Sequence, residues 1–206
     1  MTASKFLWLA AISCLVPACG SAPPPPAAAP VATVARAEPV AVALSPAPVA
    51  SAAPPVAPTP HPIDVTLEPK SGSKLSGKAV LTATADGVEV HLTVFGLPKG
   101  EHGAHVHEKG DCSAVDGSSA GGHFNPGSHE HGLPTVEHRH LGDLGNLTID
   151  AKGNGTLDFT VKGANLTPAD ANSFVGRSII IHAKKDDGGQ PTGNAGGRVG
   201  CGVIGS

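Results

Sequence analysis

Thirteen of the chain's twenty prolines fall between Gly20 and Pro62, and that run decides where a folded domain can lie. Ala, Val and Ser fill the gaps between them. Such a composition cannot bury a core and reads as a semi-rigid linker with much polyproline II backbone. At about 3.1 Å per residue, some 40 residues reach on the order of 100 Å when extended. The segment shows no charge run and no aromatic rhythm. The organisation that follows is 1–18, 19–62 and 63–206: an export signal, a linker and one domain. About 144 residues are left for that domain, enough to bury a single core.

Ahead of the linker, Lys5 precedes the apolar run Phe6 to Val16. That stretch is too short to span a bilayer and fits the apolar region of a signal peptide. Leu15-Val16-Pro17-Ala18-Cys19-Gly20-Ser21 resembles the lipobox of bacterial lipoproteins, which implies that Cys19 becomes a lipidated first residue. The expected location is periplasmic or cell-surface, held to the outer membrane by that lipid. Simple cleavage and free secretion is the alternative.

The domain reads as all-β. Val88, Val90, Leu92 and Val94 alternate with Glu89, His91 and Thr93, the period of a half-buried strand. Asp86-Gly87 marks a hairpin back to Lys78–Thr84, and Lys152-Gly153-Asn154-Gly155 marks another between Leu147–Asp150 and Thr156–Val161. Ser178–His182 and Gly200–Ile204 read as further strands. Single helical turns fit near Gly145 or over Pro168–Asn172. Many short strands between turns point to a sandwich or barrel. Two stretches stay irregular, Gly110–Leu144 and Lys184–Arg198, and loops of that length in a β domain usually carry function. Cys14 goes with the signal, so the domain holds Cys112 and Cys201, a pair expected to form a disulfide in an exported protein. A net charge of -3 offers no general attraction for nucleic acid.

The chemistry lies in an ordered series of metal-ligand types: His105, His107, His123, His131, His140, Asp143 and His182, with Arg198 and Cys201 beyond. Imidazoles and one carboxylate suit copper and zinc, not calcium or magnesium. His105 and His107 stand two apart on a strand, so both rings reach one face. His123, His131, His140 and Asp143 together make a tetrahedral set of the kind that holds structural zinc.

Five blocks in order carry a family resemblance: Gly103-Ala104-His105-Val106-His107-Glu108, Gly122-His123-Phe124-Asn125-Pro126, His140-Leu141-Gly142-Asp143-Leu144, Gly193-Asn194-Ala195-Gly196-Gly197-Arg198, and Cys201-Gly202-Val203-Ile204-Gly205. Over Ile63–Ser206 the chain resembles the bacterial, exported copper–zinc superoxide dismutases. The resemblance implies a Greek-key antiparallel β-sandwich or flattened barrel with two long functional loops. It implies copper on His105, His107, His123 and His182, and zinc on His123, His131, His140 and Asp143, with His123 as a shared imidazolate. Asp186 matches the carboxylate that orients one ligand histidine on each metal, with Asp187 as the competing choice. Arg198 matches the arginine beside the copper, and Cys112–Cys201 the family disulfide. The implied reaction converts superoxide to dioxygen and hydrogen peroxide by alternating Cu(II) and Cu(I), with Arg198 and His123 as the catalytic side chains. Lys184 and Lys185 are either attractors of the anion or solvated loop residues. The implied partners are superoxide and a membrane reached through Cys19; a homodimer is open.

A different class of reading is a non-catalytic, metal-binding dismutase-like surface lipoprotein. The complete ligand set and Arg198 weigh against it. His61, His91, His102, His129 and His138 have no place in the family pattern, and His91 reads as an exposed strand position.

Overall fold

The alternation that marks one strand is obeyed without exception: Val88, Val90, Leu92 and Val94 are each 0 % exposed. Burying such side chains stabilises the fold by roughly 1.5–3 kcal/mol apiece. The computed structural model describes His61–Gly205, and the expected signal, Cys19 and all of the linker but His61 and Pro62 lie outside the described residues.

Among the described residues eight strands follow in sequence: β1 (Ile63–Pro69), β2 (Ser76–Ala83), β3 (Gly87–Phe95), β4 (Gly100–His107), β5 (Asp143–Ile149), β6 (Asn154–Lys162), β7 (Ser178–His182) and β8 (Arg198–Val203). All pair antiparallel, in the order β1-β2-β3-β6-β5-β4-β7-β8, and β8 returns to β1 through Glu68↔Cys201 to close a barrel. Because β3 neighbours β6 and β4 neighbours β7, the chain crosses over twice, which is Greek-key winding. The expected all-β class is therefore correct, as a closed barrel.

Both hairpins form as expected. Thr84 N–H donates to the Gly87 carbonyl at 2.8 Å, and Asp150 Oδ1 accepts from the N–H of Lys152 and of Asn154. The expected helical turns do not form. Gly145 lies within β5 at φ 92, opposite a register shift between Ala104 and His105, and Pro168–Asn172 is a series of turns. Among the described residues the short helix that does occur is a 3-10 turn at Ser118–Ala120. The strands also outrun their expected limits: β5 starts at Asp143, β8 at Arg198, and β1 was not expected at all.

Side-chain alternation now sorts the two faces. Ala104, Val106, Ile179 and Ile181 enter the main core, so His105, His107 and His182 project from the barrel's outer surface. Ile180 points the same outward way and packs with Ala120 and Cys201. The long segments after β4 and after β7 cover that surface, which is why the outward histidines are buried.

Candidate metal centre

Each ligand-type side chain has a local reason for its position. His123 is brought against β4 by a strand-like bridge to His107: Glu108 N–H donates to Gly122 and Phe124 N–H donates to Val106. Phe124 then drops into the core and turns His123 the other way. His131 is clamped by one amide, since Gln190 Oε1 accepts from its N–H at 3.1 Å and Gln190 Nε2 donates to its carbonyl at 2.8 Å. Asp143 opens β5 opposite His105, and its Oδ2 accepts from the backbone N–H of Gly132 and of His140.

The result is two groups whose ligand atoms converge: His105, His107, His123 and His182, and beside them His105, His123, His131 and Asp143. His123, expected from the resemblance as a shared ring, lies in both groups. His140 completes the second set, with Nδ1 3.3 Å from His123 Nδ1 and 3.3 Å from Asp143 Oδ1. Donors 2.0–2.1 Å from a tetrahedral ion lie about 3.3 Å apart, so these separations match a zinc set. His105 also converges with both groups, and its Nε2 donates to Asp186 at 2.8 Å.

Unpartnered atoms say the same. Among the described residues four buried side-chain nitrogens have no hydrogen-bond partner: His105 Nδ1, His107 Nε2, His131 Nδ1 and His182 Nε2. On each of these rings the other nitrogen is bound: His105 Nε2 to Asp186 Oδ2 at 2.8 Å, His107 Nδ1 to the Gly121 carbonyl at 3.0 Å, His131 Nε2 to Asp186 Oδ1 at 3.0 Å, and His182 Nδ1 to the Gly196 carbonyl at 3.1 Å. On His105, His107 and His182 the bound nitrogen carries the hydrogen, so the free one presents a lone pair; His131 Nδ1 presents one once that ring has lost its second proton. His131 Nδ1 lies 3.1 Å from Asp143 Oδ2 without the alignment of a hydrogen bond, a contact that a cation between them would satisfy. Leaving buried polar atoms unpaired costs about 1–3 kcal/mol each. The donor types and their arrangement fit copper and zinc.

Asp186, not Asp187, joins the two groups. Its carboxylate is fully buried between His105 and His131, whereas exposed Asp187 accepts from Gly189 and Asn194. Asn146, which the sequence reading did not single out, holds Asp186 in place. Its Oδ1 accepts from Asp186 N–H at 2.7 Å and its Nδ2 donates to the Asp186 carbonyl at 2.8 Å. Gly193 is required here, because a Cβ would stand 2.1 Å from Asp186 Oδ1 and its φ is +77. His102, left without a role by the sequence, is buried with Nδ1 2.8 Å from the His182 carbonyl.

Arg198 pairs with His182 across β7 and β8. Its Nη1 donates to the Gly117 carbonyl and its Nη2 to the Gly121 carbonyl, both at 2.7 Å. The Gly121 carbonyl also accepts from His107, so the guanidinium and one histidine share an anchor. The Cys112–Cys201 disulfide forms as expected, with a Cα–Cα distance of 5.8 Å, and ties the covering loop to β8. Lys185 pairs with Glu101 at 2.6 Å on the surface, while Lys184 lies along Gly196.

The electrostatics set His131 apart, since burial lowers His140 as it does His105, His107 and His182. Burial lowers His105 to about 4, His107 to about 2 and His182 to about 3, so these rings are neutral at pH 7. Burial opposes the charge on His131 too, but the carboxylates of Asp143 and Asp186, one beside each ring nitrogen, win and raise it to about 9. Burial would raise both carboxylates; their histidine and backbone donors hold them well below the usual range instead.

Residues 75–204 match the family model described as copper/zinc superoxide dismutase, more than half of the chain. A SOD-like protein from Bacillus subtilis is 32 % identical with TM-score 0.60, covering 68 % of this chain and 97 % of that one. A double mutant of that protein is 34 % identical with TM-score 0.61, covering 69 % and 97 %. The clock protein EA4 is 41 % identical with TM-score 0.64, covering 71 % and 95 %. This chain therefore belongs to the copper/zinc superoxide dismutase family, and its two histidine clusters offer the donors that the family's two metals take.

Proposed function

We propose that this protein is an active superoxide dismutase, with copper held by His105, His107, His123 and His182 and zinc held by His123, His131, His140 and Asp143. The observation that carries the reading is the set of buried imidazole lone pairs, each fixed by a hydrogen bond on the far side of its ring, next to a half-buried arginine. Bound there, copper supplies one-electron transfer between Cu(II) and Cu(I), and zinc supplies a fixed charge.

The chain's own groups do the rest. Arg198 spends two of its five N–H groups on the Gly117 and Gly121 carbonyls. The remaining donors and the fixed charge hold the superoxide anion and favour developing peroxide charge. His123 Nδ1 faces Asp143 and His140, which directs Nε2 of the same ring to the other group. That Nε2 is the atom we assign to taking up a proton and passing it to product. Asp186 and Asn146 keep the ligand rings from rotating between turnovers.

Arg198→Ile tests the assignment: turnover falls while copper and zinc content persist. Unchanged turnover removes Arg198 from the mechanism. Loss of both metals makes it a structural residue. Export and anchoring through Cys19 form a separate part of the proposal, supported by the apolar run Phe6–Val16 and the small residues around Cys19. Cys19→Ala moves the protein from membrane to soluble fractions; unchanged fractionation rejects the anchor and leaves the enzyme assignment standing.

A further inference from the structure

Two histidines that the metal centre does not use lie on its outer rim. His129 and His138 are both exposed, and their ring centres are 5.5 Å apart. Each stands two residues before a buried ligand, in His129-Glu130-His131 and His138-Arg139-His140. The buried pair His131–His140 has ring centres 5.4 Å apart. The exposed pair thus repeats the separation of the inner one, one step further out along the same two stretches of chain.

The spacing suits a shared ion. A metal 2.0–2.1 Å from a ring nitrogen is about 3.2 Å from the ring centre, so two imidazoles meeting at roughly 110–120° have centres about 5.2–5.5 Å apart. The backbone is held at His129 and on either side of His138. Asn125 Nδ2 donates to the His129 carbonyl at 2.8 Å, and Asn125 Oδ1 accepts from His129 N–H at 3.0 Å. The His129 ring lies over Gly127, where a Cβ would meet its Nε2 at 2.7 Å. His138 lies between Val136 and Arg139, whose Nη1 donates to the Val136 carbonyl at 2.8 Å, and is followed by His140, fixed to Asp143.

We propose that His129 and His138 form a second, surface metal site for a borderline divalent ion, zinc or copper(II). Among the described residues no third His, Cys, Asp or Glu side chain converges on the pair, so water completes the coordination. The ion is labile there and exchanges with solvent.

The test is equilibrium dialysis of the full chain, already loaded with copper and zinc in the buried centre, against zinc alone. The protein is expected to take up about one further equivalent of zinc, and the double variant His129→Ala, His138→Ala to lose that uptake while keeping its buried metals. Added copper(II) gives a second readout, an electron paramagnetic resonance signal with two nitrogen ligands that disappears in the same variant. Equal uptake by the two proteins, or no further uptake by either, overturns the proposal. Loss of the buried zinc from the variant also overturns it, because the pair would then be supporting the inner set. None of these readouts depends on turnover, so failure here is distinct from failure of the dismutase assignment.

Discussion

Asp186→Asn replaces one carboxylate oxygen by an NH2 group with almost no change in shape. In the protein as it stands, Oδ2 accepts from His105 Nε2 at 2.8 Å, and Oδ1 accepts from His131 Nε2 at 3.0 Å and from Gly188 N–H at 2.8 Å. An amide has one acceptor oxygen, so it serves one ring and turns a donor toward the other. A hydrogen bond to a charged group contributes about 1.5–3 kcal/mol. Losing one loosens a ligand ring by about that amount, and such outer partners typically tune metal affinity by 10–100-fold. The expected result is a loss of that size in affinity for at least one of the two metals, measured by competition with chelators of known strength. The control is Asp187→Asn, expected to change affinity less than about twofold, because that carboxylate is exposed and touches no ligand. Wild-type affinity for both metals in Asp186→Asn, or an equal loss in the control, would show that the buried bridge does not set ring orientation.

Removing the disulfide with Cys112→Ala and Cys201→Ala opens a loop of 89 residues and is expected to cost about 4–5 kcal/mol in denaturant unfolding at matched metal content; a cost below about 1 kcal/mol contradicts the loop-closure account. Zinc uptake by the metal-free protein should release a proton at pH 7, since His131, raised to about 9, is protonated there. Apparent zinc affinity then climbs by about tenfold per pH unit toward pH 9, while His105 and His182, lowered to about 4 and 3, add no such competition above pH 5. Calorimetry in buffers of different ionisation heat reads this directly, and a heat independent of buffer at pH 7 refutes it. Gly193→Ala drives a methyl group into Asp186 Oδ1 and His131 Nε2 at a positive φ, so the purified variant should carry less metal than wild type; full metal content shows that the loop gives way without harm.

The sequence revealed most where alternation or a ligand pattern was local. The β3 residues Val88 to Val94 alternate cleanly because they face a core on one side and solvent on the other. β5 misled because a bulge breaks its period: Leu144 and Leu147 are both buried, and that spacing of three imitates a helix. β1 escaped notice between Pro62 and Pro69 although Ile63, Val65 and Leu67 alternate as they should, because proline signals linker and turn more strongly than a short strand signals itself. The residues that converge at the two clusters were legible through family blocks. The side chains that hold them were not: Asn146, Gln190 and His102 act through contacts 40, 59 and 80 residues away in the chain, which no local spacing can show. The choice between Asp186 and Asp187 likewise needed the fold, since adjacent carboxylates differ only in which one the loop turns inward.

The most direct test of the central claim is superoxide disproportionation by the purified protein loaded with one copper and one zinc, alongside a His123→Ala variant. The account predicts fast, cyanide-sensitive turnover that the variant lacks. Absence of turnover in the fully metal-loaded protein would contradict it and leave a dismutase-like domain that binds metal without catalysis.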